Sequence, residues 1–170
     1  MNIRSIDTIF ESKMADIQSR LPAGAGSIFG SMLASSIEAA EAGDLSTGQR
    51  AVDFARQFIG TPYVFGGSDL QNGIDCSAFV QSAYRAAGVD LPRTAYQQSQ
   101  AGRSISLQDM APGDLLFFKT SDRAPITHVG MYIGDNQFIH SSSSGHGVGI
   151  SYLDDKWRGV LEDTRRVTAY

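Results

Sequence analysis

Residues 128–140 read HVGMYIGDNQFIH and contain two of the three histidines of the chain. Apolar runs on either side of the Gly-Asp-Asn segment at 134–136 are typical of a β-hairpin, so we predict strands over 126–133 and 137–141. Helical patterns precede this hairpin and further strand candidates follow it. That order predicts an α+β fold, in which N-terminal helices pack on a central antiparallel sheet.

The turn length decides whether His128 and His140 share a face of this hairpin. Side chains alternate along a strand, so a loop of two or four residues would send them to opposite faces. A loop of three residues pairs Ile133 with Gln137. Gly130 then faces His140, and His128 becomes its diagonal neighbour, about 7–8 Å away between Cβ atoms. A catalytic role therefore predicts an odd loop, and the alternative is two solvent-facing histidines at strand ends.

Cys76 is the one cysteine of the chain, which excludes an internal disulfide and a four-cysteine zinc site. It opens a helix predicted over 75–87, whose first-turn N–H groups and dipole favour a thiolate and offer donors to an oxyanion. The alternative is an inert core residue, because the cysteine lies on the apolar face. That face recurs every three or four positions: Cys76, Phe79, Val80, Ala83, Tyr84 and Ala87.

Composition excludes several classes of protein. The chain has 170 residues, of which 42% are hydrophobic, so one or two domains with a core are expected. A formal net charge of −4 argues against nucleic acid as the main partner, because phosphate neutralisation needs a basic surface. No run approaches the roughly 18 apolar residues of a membrane-spanning helix.

The segment before the folded domain has its own pattern. Residues 1–21 predict an amphipathic helix, which either packs on the protein's own domain or docks a partner or export apparatus. Residues 22–45 are rich in Gly, Ala and Ser and predict a linker, which leaves 46–170 as the domain. The stripe of the first segment is Ile3, Ile6, Phe10, Met14, Ile17 and Leu21.

The first residues also bear on location. Acidic residues interrupt every apolar run there, so no Sec-type signal is predicted. We therefore expect a cell-wall or extracellular protein that is exported by another route, or else a cytoplasmic one.

The remaining predicted elements are short. A helix is expected to start near Ser46-Thr47 and to end at Gly60, with another over 94–101. Residues 61–74 are predicted as a loop because of their Gly, Pro and Asn content. Further strands are predicted over 115–119, 149–153 and 165–169.

Six motifs occur along the chain in this order: YVFGG (63–67), DCSAFV (75–80), LPRT (91–94), PGDL (112–115), HVGMYIG (128–134) and FIHS (138–141). Taken together, over about residues 48–170, they resemble the NlpC/P60 cysteine peptidases of bacterial cell walls. The resemblance implies a papain-like fold with the catalytic triad Cys76, His128 and His140, and no metal or cofactor. It implies cleavage of peptidoglycan stem peptides or muropeptides, typically between D-glutamate and a diamino acid.

The resemblance also implies roles at the cleft. Tyr63 would donate to the oxyanion or to substrate, Asp75 and Ser77 would bind the amine of a free stem, and Arg93 would meet a substrate carboxylate. Ordinary structural roles compete with these: packing for Tyr63, a helix cap for Asp75, a first-turn position for Ser77 and a surface charge for Arg93. Two departures concern the cleft, an apparent extra residue within 70–72 and Ala95 in place of a common serine.

Three other functions stay open from the sequence. The same scaffold supports amide hydrolysis at another bond, or acyl transfer. A non-catalytic module that binds the wall or a partner would carry a vestigial triad. A third reading is metal binding by Cys76, His128 and His140, which have ligand types that suit zinc.

Overall fold

An antiparallel sheet of six strands forms the centre of this computed structural model, which describes residues 47–168. The described residues fall within one compact unit. In chain order the strands are β1 (Ser68–Asp69), β2 (Gly73–Ile74), β3 (Arg103–Ser104), β4 (Leu115–Phe118), β5 (His128–Gly134), β6 (Gln137–Ser142), β7 (Gly147–Tyr152) and β8 (Leu161–Arg166). The sheet has the order β3-β8-β4-β5-β6-β7, and β1 pairs with β2 separately.

Helices and the sheet together confirm the predicted α+β class. Residues 47–56 are helical and form α1. The other helical segments are α2 (Cys76–Ala86), α3 (Ala95–Gln98), a 3-10 turn (Leu107–Asp109) and α4 (Asp155–Arg158).

Helix α2 begins where the sequence predicts it. The Asp75 carboxylate caps the helix by accepting the Ala78 N–H at 2.8 Å, and the helix ends ahead of Gly88, whose φ is 90°. Every residue of the predicted apolar face is buried. This face packs on Val129, Met131 and other core residues of the sheet.

Strand alternation divides the sheet into two faces with different neighbours. Leu115 and Phe117 of β4 belong to the core under α2, whereas Leu116 and Phe118 belong to a second cluster on the other face. Trp157 of α4 packs against that second cluster. Both hairpin histidines make ring contacts with aromatic residues of this second face.

The hairpin brings the histidines to one face by a different route from the predicted one. Its loop has two residues, Asp135 and Asn136, with φ of 50° and 58° as in a type I′ turn. The pairing then shifts between Tyr132 and Gly134, so that Met131 lies opposite Ile139. The expected three-residue loop is therefore wrong, but this bulge restores the register that it would have produced.

Gly130 shows how closely the two strands approach. A Cβ atom at this position would lie 2.6 Å from the Phe138 ring and 3.4 Å from the Cβ of His140. Glycine is therefore the residue that lets the Phe138 ring lie against the strand beside His140.

The other differences concern short or polar elements. The predicted loop 61–74 contains β1 and β2, and β8 ends at Arg166 instead of continuing to 169. The predictions also missed β3, α4 and most of β8, where polar residues predominate and hydrophobic alternation is weak. The predicted helix 1–21 and linker 22–45 lie outside the described residues. None of the helices within 47–168 is long and apolar enough to cross a membrane.

Tyr84 ties α2 to the turn that leads into β4. Its hydroxyl donates to the Gly113 carbonyl at 2.6 Å, and the side chain is buried. We expect Tyr84→Phe to lower the free energy of unfolding by about 1–2 kcal/mol, because it leaves a buried carbonyl without this donor. Urea denaturation measures the change. Tyr152→Phe is the matched control, since Tyr152 is 63% exposed, and an equal loss in both variants would contradict the argument.

Candidate active site

His128 and His140 are directly hydrogen-bonded. Nε2 of His128 lies 2.7 Å from Nδ1 of His140, with the two rings nearly perpendicular at 77°. Only 9% of His128 and 4% of His140 are exposed. Nε2 of His140 lies 3.0 Å from the Ser151 hydroxyl on β7, so one hydrogen-bond chain runs through all three side chains.

Aromatic rings enclose the two imidazoles. The Trp157 ring centroid lies 5.6 Å from that of His128 and 5.3 Å from that of His140. Phe118 contacts His128, and Phe138 contacts His140. Burial in this enclosure lowers the pKa of His140 to about 4, and burial together with the neighbouring His140 charge lowers the pKa of His128 to about 3. Both imidazoles are therefore neutral at pH 7.

Cys76 occupies the first position of α2, and 8% of it is exposed. Burial raises the pKa of its thiol, although the backbone N–H groups of Val129, Ser77 and Cys76 itself act in the opposite direction. The expectation that the helix start lowers this pKa is therefore wrong, because desolvation outweighs the N–H groups. The resting site holds a neutral thiol and neutral imidazoles.

The thiol and His128 are neighbours through the backbone of β5. The N–H of Val129, the residue that follows His128, is the backbone group with the largest effect on the sulfur. Residues 47–168 contain no hydrogen bond between the Cys76 thiol and His128 itself. Hydrogen bonds between a nucleophile and its base are often loose in unliganded sites and tighten when substrate binds.

A cavity of about 490 Å³ opens beside the thiol. Its volume lies within the range of sites for small ligands. All four side chains assigned by resemblance to substrate or oxyanion binding line it, namely Tyr63, Asp75, Ser77 and Arg93. Two further aromatic residues at its rim, Phe65 and Tyr96, are largely exposed.

The phenol of Tyr63 lies close to the Cys76 thiol. Burial raises its pKa, and the charges of Cys76 and Asp75 raise it further. Tyr63 therefore keeps its proton at neutral pH and is available as a hydrogen-bond donor in the cleft.

Asp75 is held by groups of the protein itself. Its Oδ2 accepts from Nη2 of Arg93 at 2.6 Å, and its Oδ1 accepts from Nη1 of Arg93 at 3.0 Å and from the Ser77 hydroxyl at 3.2 Å. The same carboxylate caps α2. Its negative charge is therefore balanced within the protein, by a bidentate arginine.

Arg93 also reaches the loop on the other side of the cleft. Its Nη2 donates to the carbonyls of Gly66 and Gly67, at 3.2 and 3.4 Å. The guanidinium thus joins the YVFGG loop to the start of α2. This arrangement fixes the wall of the cleft next to Cys76.

Comparison with known proteins places the site in a family. Residues 60–165 match the NlpC/P60 family. The chain belongs to the NlpC/P60 family. It is 42% identical over 117 residues to the gamma-DL-glutamyl hydrolase of Bacillus subtilis, a match that covers 68% of this chain and 28% of that protein. It is 41% identical over 120 residues to the murein DD-endopeptidase MepS/murein LD-carboxypeptidase of Escherichia coli K12, covering 69% of this chain and 62% of that one. The chain thus spans less than two thirds of the length of these relatives.

Solved structures confirm the papain-like NlpC/P60 fold. An NLP/P60 family protein similar to a lipoprotein from Staphylococcus aureus superposes with a TM-score of 0.66 at 36% identity, covering 73% of this chain and 42% of that one. NlpC2 from Trichomonas vaginalis gives a TM-score of 0.67 at 32% identity, covering 74% of this chain and 48% of that one.

Three site residues of this NlpC/P60 domain have no role in the sequence-based assignment: Ser151, Trp157 and Gln98. Strand alternation could have placed Ser151 on the same face as His140, because Ser151 lies two residues from Gly149, the partner of His140. The buried amide of Gln98 donates to the carbonyls of Ser77 and Pro92 at 2.9 and 2.8 Å, and nothing in its sequence context indicates this. Within 47–168, no three His, Cys, Asp or Glu side chains are arranged to hold a metal ion.

The Arg93 pair leads to a stability prediction. Arg93→Met should lower the free energy of unfolding by about 1–2 kcal/mol, because the capping carboxylate loses its charged partner. Arg85→Met is the matched control: Arg85 pairs with Asp90 at 3.2 Å, but both side chains are largely exposed, so a change of at most about 0.5 kcal/mol is expected. Chemical denaturation compares the two, and equal effects would contradict a special role for Arg93.

The buried imidazoles predict a pH-dependent stability. Their folded-state pKa values of about 3 and about 4 lie below the ordinary 6.5, so the unfolded chain binds more protons between pH 6.5 and about 4. The free energy of unfolding should therefore fall with decreasing pH, by up to about 1.4 kcal/mol per pH unit for each histidine. Urea denaturation at several pH values measures this slope.

His140→Gln should make that slope shallower, since it removes one of the two groups. His146→Asn is the control, because His146 is exposed, and asparagine tolerates its φ of 62°. A slope that is unchanged by His140→Gln would show that the buried imidazole does not contribute to it.

Proposed function

We propose that this NlpC/P60 domain is a cysteine endopeptidase that hydrolyses the peptide stems of peptidoglycan. The observation that carries the proposal is the buried hydrogen bond between His128 and His140, because His128 directly precedes Val129, whose N–H reaches the sulfur of Cys76 in the cleft. A nucleophile, a base and a group that orients the base are the parts that thiol catalysis needs. Relatives named as murein endopeptidases and glutamyl hydrolases support the substrate class.

The first step transfers the thiol proton to His128. Its Nε2 is committed to His140, so the base is Nδ1, on the other side of the ring. The sulfur attacks the carbonyl carbon of the scissile amide as the proton leaves it. The imidazolium and the negative charge of the adduct form together and stabilise each other, which compensates for the burial that makes the free imidazole a weak base.

The second half of the reaction returns the proton. The His128 imidazolium donates it to the leaving amine nitrogen, the C–N bond breaks, and a thioester to Cys76 remains. Water then attacks the thioester carbonyl, giving a proton to His128. When the C–S bond breaks, that proton returns to the sulfur, and the carboxylic acid leaves.

The start of α2 and Tyr63 supply the oxyanion donors. Asp75 already uses the N–H of Ala78, whereas the N–H groups of Cys76 and Ser77 face the sulfur. Together with the protonated Tyr63 hydroxyl, these N–H groups are the donors next to the thiol that would stabilise the carbonyl oxygen as it acquires charge.

The pairing of Asp75 favours an endopeptidase. A site that binds the free amine of a stem needs an uncompensated negative charge, and Arg93 balances the charge of Asp75. We therefore propose cleavage within longer stems, at the bond between D-glutamate and the diamino acid. A relative named gamma-D-glutamyl-L-lysine dipeptidyl-peptidase supports this bond.

Cleavage of purified peptidoglycan of known stem composition tests the proposal. Cys76→Ala and His128→Asn should each reduce the rate by ~10³-fold or more, because either change removes a member of the triad. His146→Asn is the matched histidine control and should leave the rate unchanged. Mass spectrometry of the fragments should show stems that end in D-glutamate.

Two results would count against the proposal. Full activity of the Cys76→Ala variant would exclude thiol catalysis. Fragments cut between two D-amino acids would keep the enzyme class but assign it to a bond of the DD type, which the name of the Escherichia coli relative mentions.

A further inference from the structure

The hydrogen-bond chain of the site ends at Ser151. Its hydroxyl lies 3.0 Å from Nε2 of His140, and its strand position opposite Phe138 makes it a diagonal neighbour of that histidine. Ser151 is not among the residues that line the cleft beside Cys76. Any influence of this hydroxyl on the reaction must therefore pass through His140.

The direction in which the hydrogen bonds between Ser151, His140 and His128 are donated decides whether His128 can act as a base. A neutral imidazole carries one proton, on either of its nitrogens. With the proton of His140 on Nε2, its Nδ1 accepts from Nε2–H of His128, and Nδ1 of His128 keeps a free lone pair. With the proton of His140 on Nδ1, Nε2 of His128 must accept, so its Nδ1 carries hydrogen and cannot take the thiol proton.

Of these two arrangements, only the first allows catalysis by the proposed mechanism. It requires an acceptor at Nε2 of His140, and the aromatic rings around the imidazoles provide no strong one. The hydroxyl of Ser151 does, because it is only partly buried and its own hydrogen can point to solvent. The same direction is enforced once His128 is protonated, since both of its nitrogens then donate.

We propose that Ser151 is a positioning residue that holds His140 in its Nε2–H tautomer and so keeps Nδ1 of His128 free to accept the thiol proton. The proposal rests on the proposed function for its catalytic consequence. The tautomers themselves are a property of the protein without substrate. They can therefore be tested separately from activity.

The test is long-range ¹H–¹⁵N NMR on the full chain with ¹⁵N-labelled histidine, which distinguishes a protonated from an unprotonated ring nitrogen. In the wild-type protein, His128 and His140 should both carry hydrogen on Nε2. Ser151→Ala should add a population of His140 with hydrogen on Nδ1. It should also lower kcat on peptidoglycan fragments about five- to tenfold with little change in KM, as expected for one lost hydrogen bond.

Two further variants separate positioning from folding. Ser151→Thr keeps the hydroxyl and suits a strand, so it should restore both the tautomer and kcat. Ser104→Ala makes the same substitution as Ser151→Ala at an exposed strand serine of β3, and should change neither quantity.

Each outcome is decisive. Unchanged tautomers in Ser151→Ala, with or without a loss of activity, would overturn the proposal and leave Ser151 with a structural role at most. A tautomer change with unchanged kcat would also overturn it, because the direction of donation in these hydrogen bonds would then not matter to the reaction. A wild-type protein with the expected tautomers but no activity on peptidoglycan would refute the proposed function alone.

Discussion

The hydrogen bond between His128 and His140 depends on the register between β5 and β6. Moving either strand by one residue would turn one imidazole to the opposite face of the sheet, against the core under α2. The bulge between Tyr132 and Gly134 sets that register, together with a turn whose two residues both have positive φ. The bulge and the turn at the end of the hairpin thus determine that His128 and His140, several residues away, lie on the same face of the sheet.

The same face of the sheet determines the electrostatics of the site. Phe118, Phe138 and Trp157 exclude water from both imidazoles, and burial of Cys76 at the start of α2 does the same for the thiol. Each group is neutral at rest because a lone charge would be poorly solvated there. A thiolate and an imidazolium that form side by side solvate each other, so this enclosure favours charge formation in pairs.

Sequence reasoning was most successful where hydrophobic periodicity was strong. The 75–87 helix and the two hairpin strands follow from apolar spacing, whereas strand parity made a shared face for His128 and His140 depend on an odd loop, and a bulge produces it instead. The bulge was not predictable, because a two-residue loop with a register shift and a three-residue loop give the same alternation. Polar β8 and the contacts of Gln98 depend on tertiary partners, about which local patterns carry no information. The sign of the Cys76 pKa shift was missed because sequence shows a helix start but not the depth of burial.

Arg93 and Ser151 illustrate two ways in which a residue away from the reacting atoms shapes the site. Arg93 joins the YVFGG loop to the cap of α2 and, by balancing Asp75, decides what kind of charge the cleft presents to a substrate. Ser151 lies at the far end of the hydrogen-bond chain, behind both imidazoles, and in our proposal determines which ring nitrogens carry a proton. In the proposed mechanism, the first effect operates on substrate binding and the second on the chemical step. Substitution of Arg93 should therefore change mainly KM, and substitution of Ser151 mainly kcat, even though both residues act only through their neighbours.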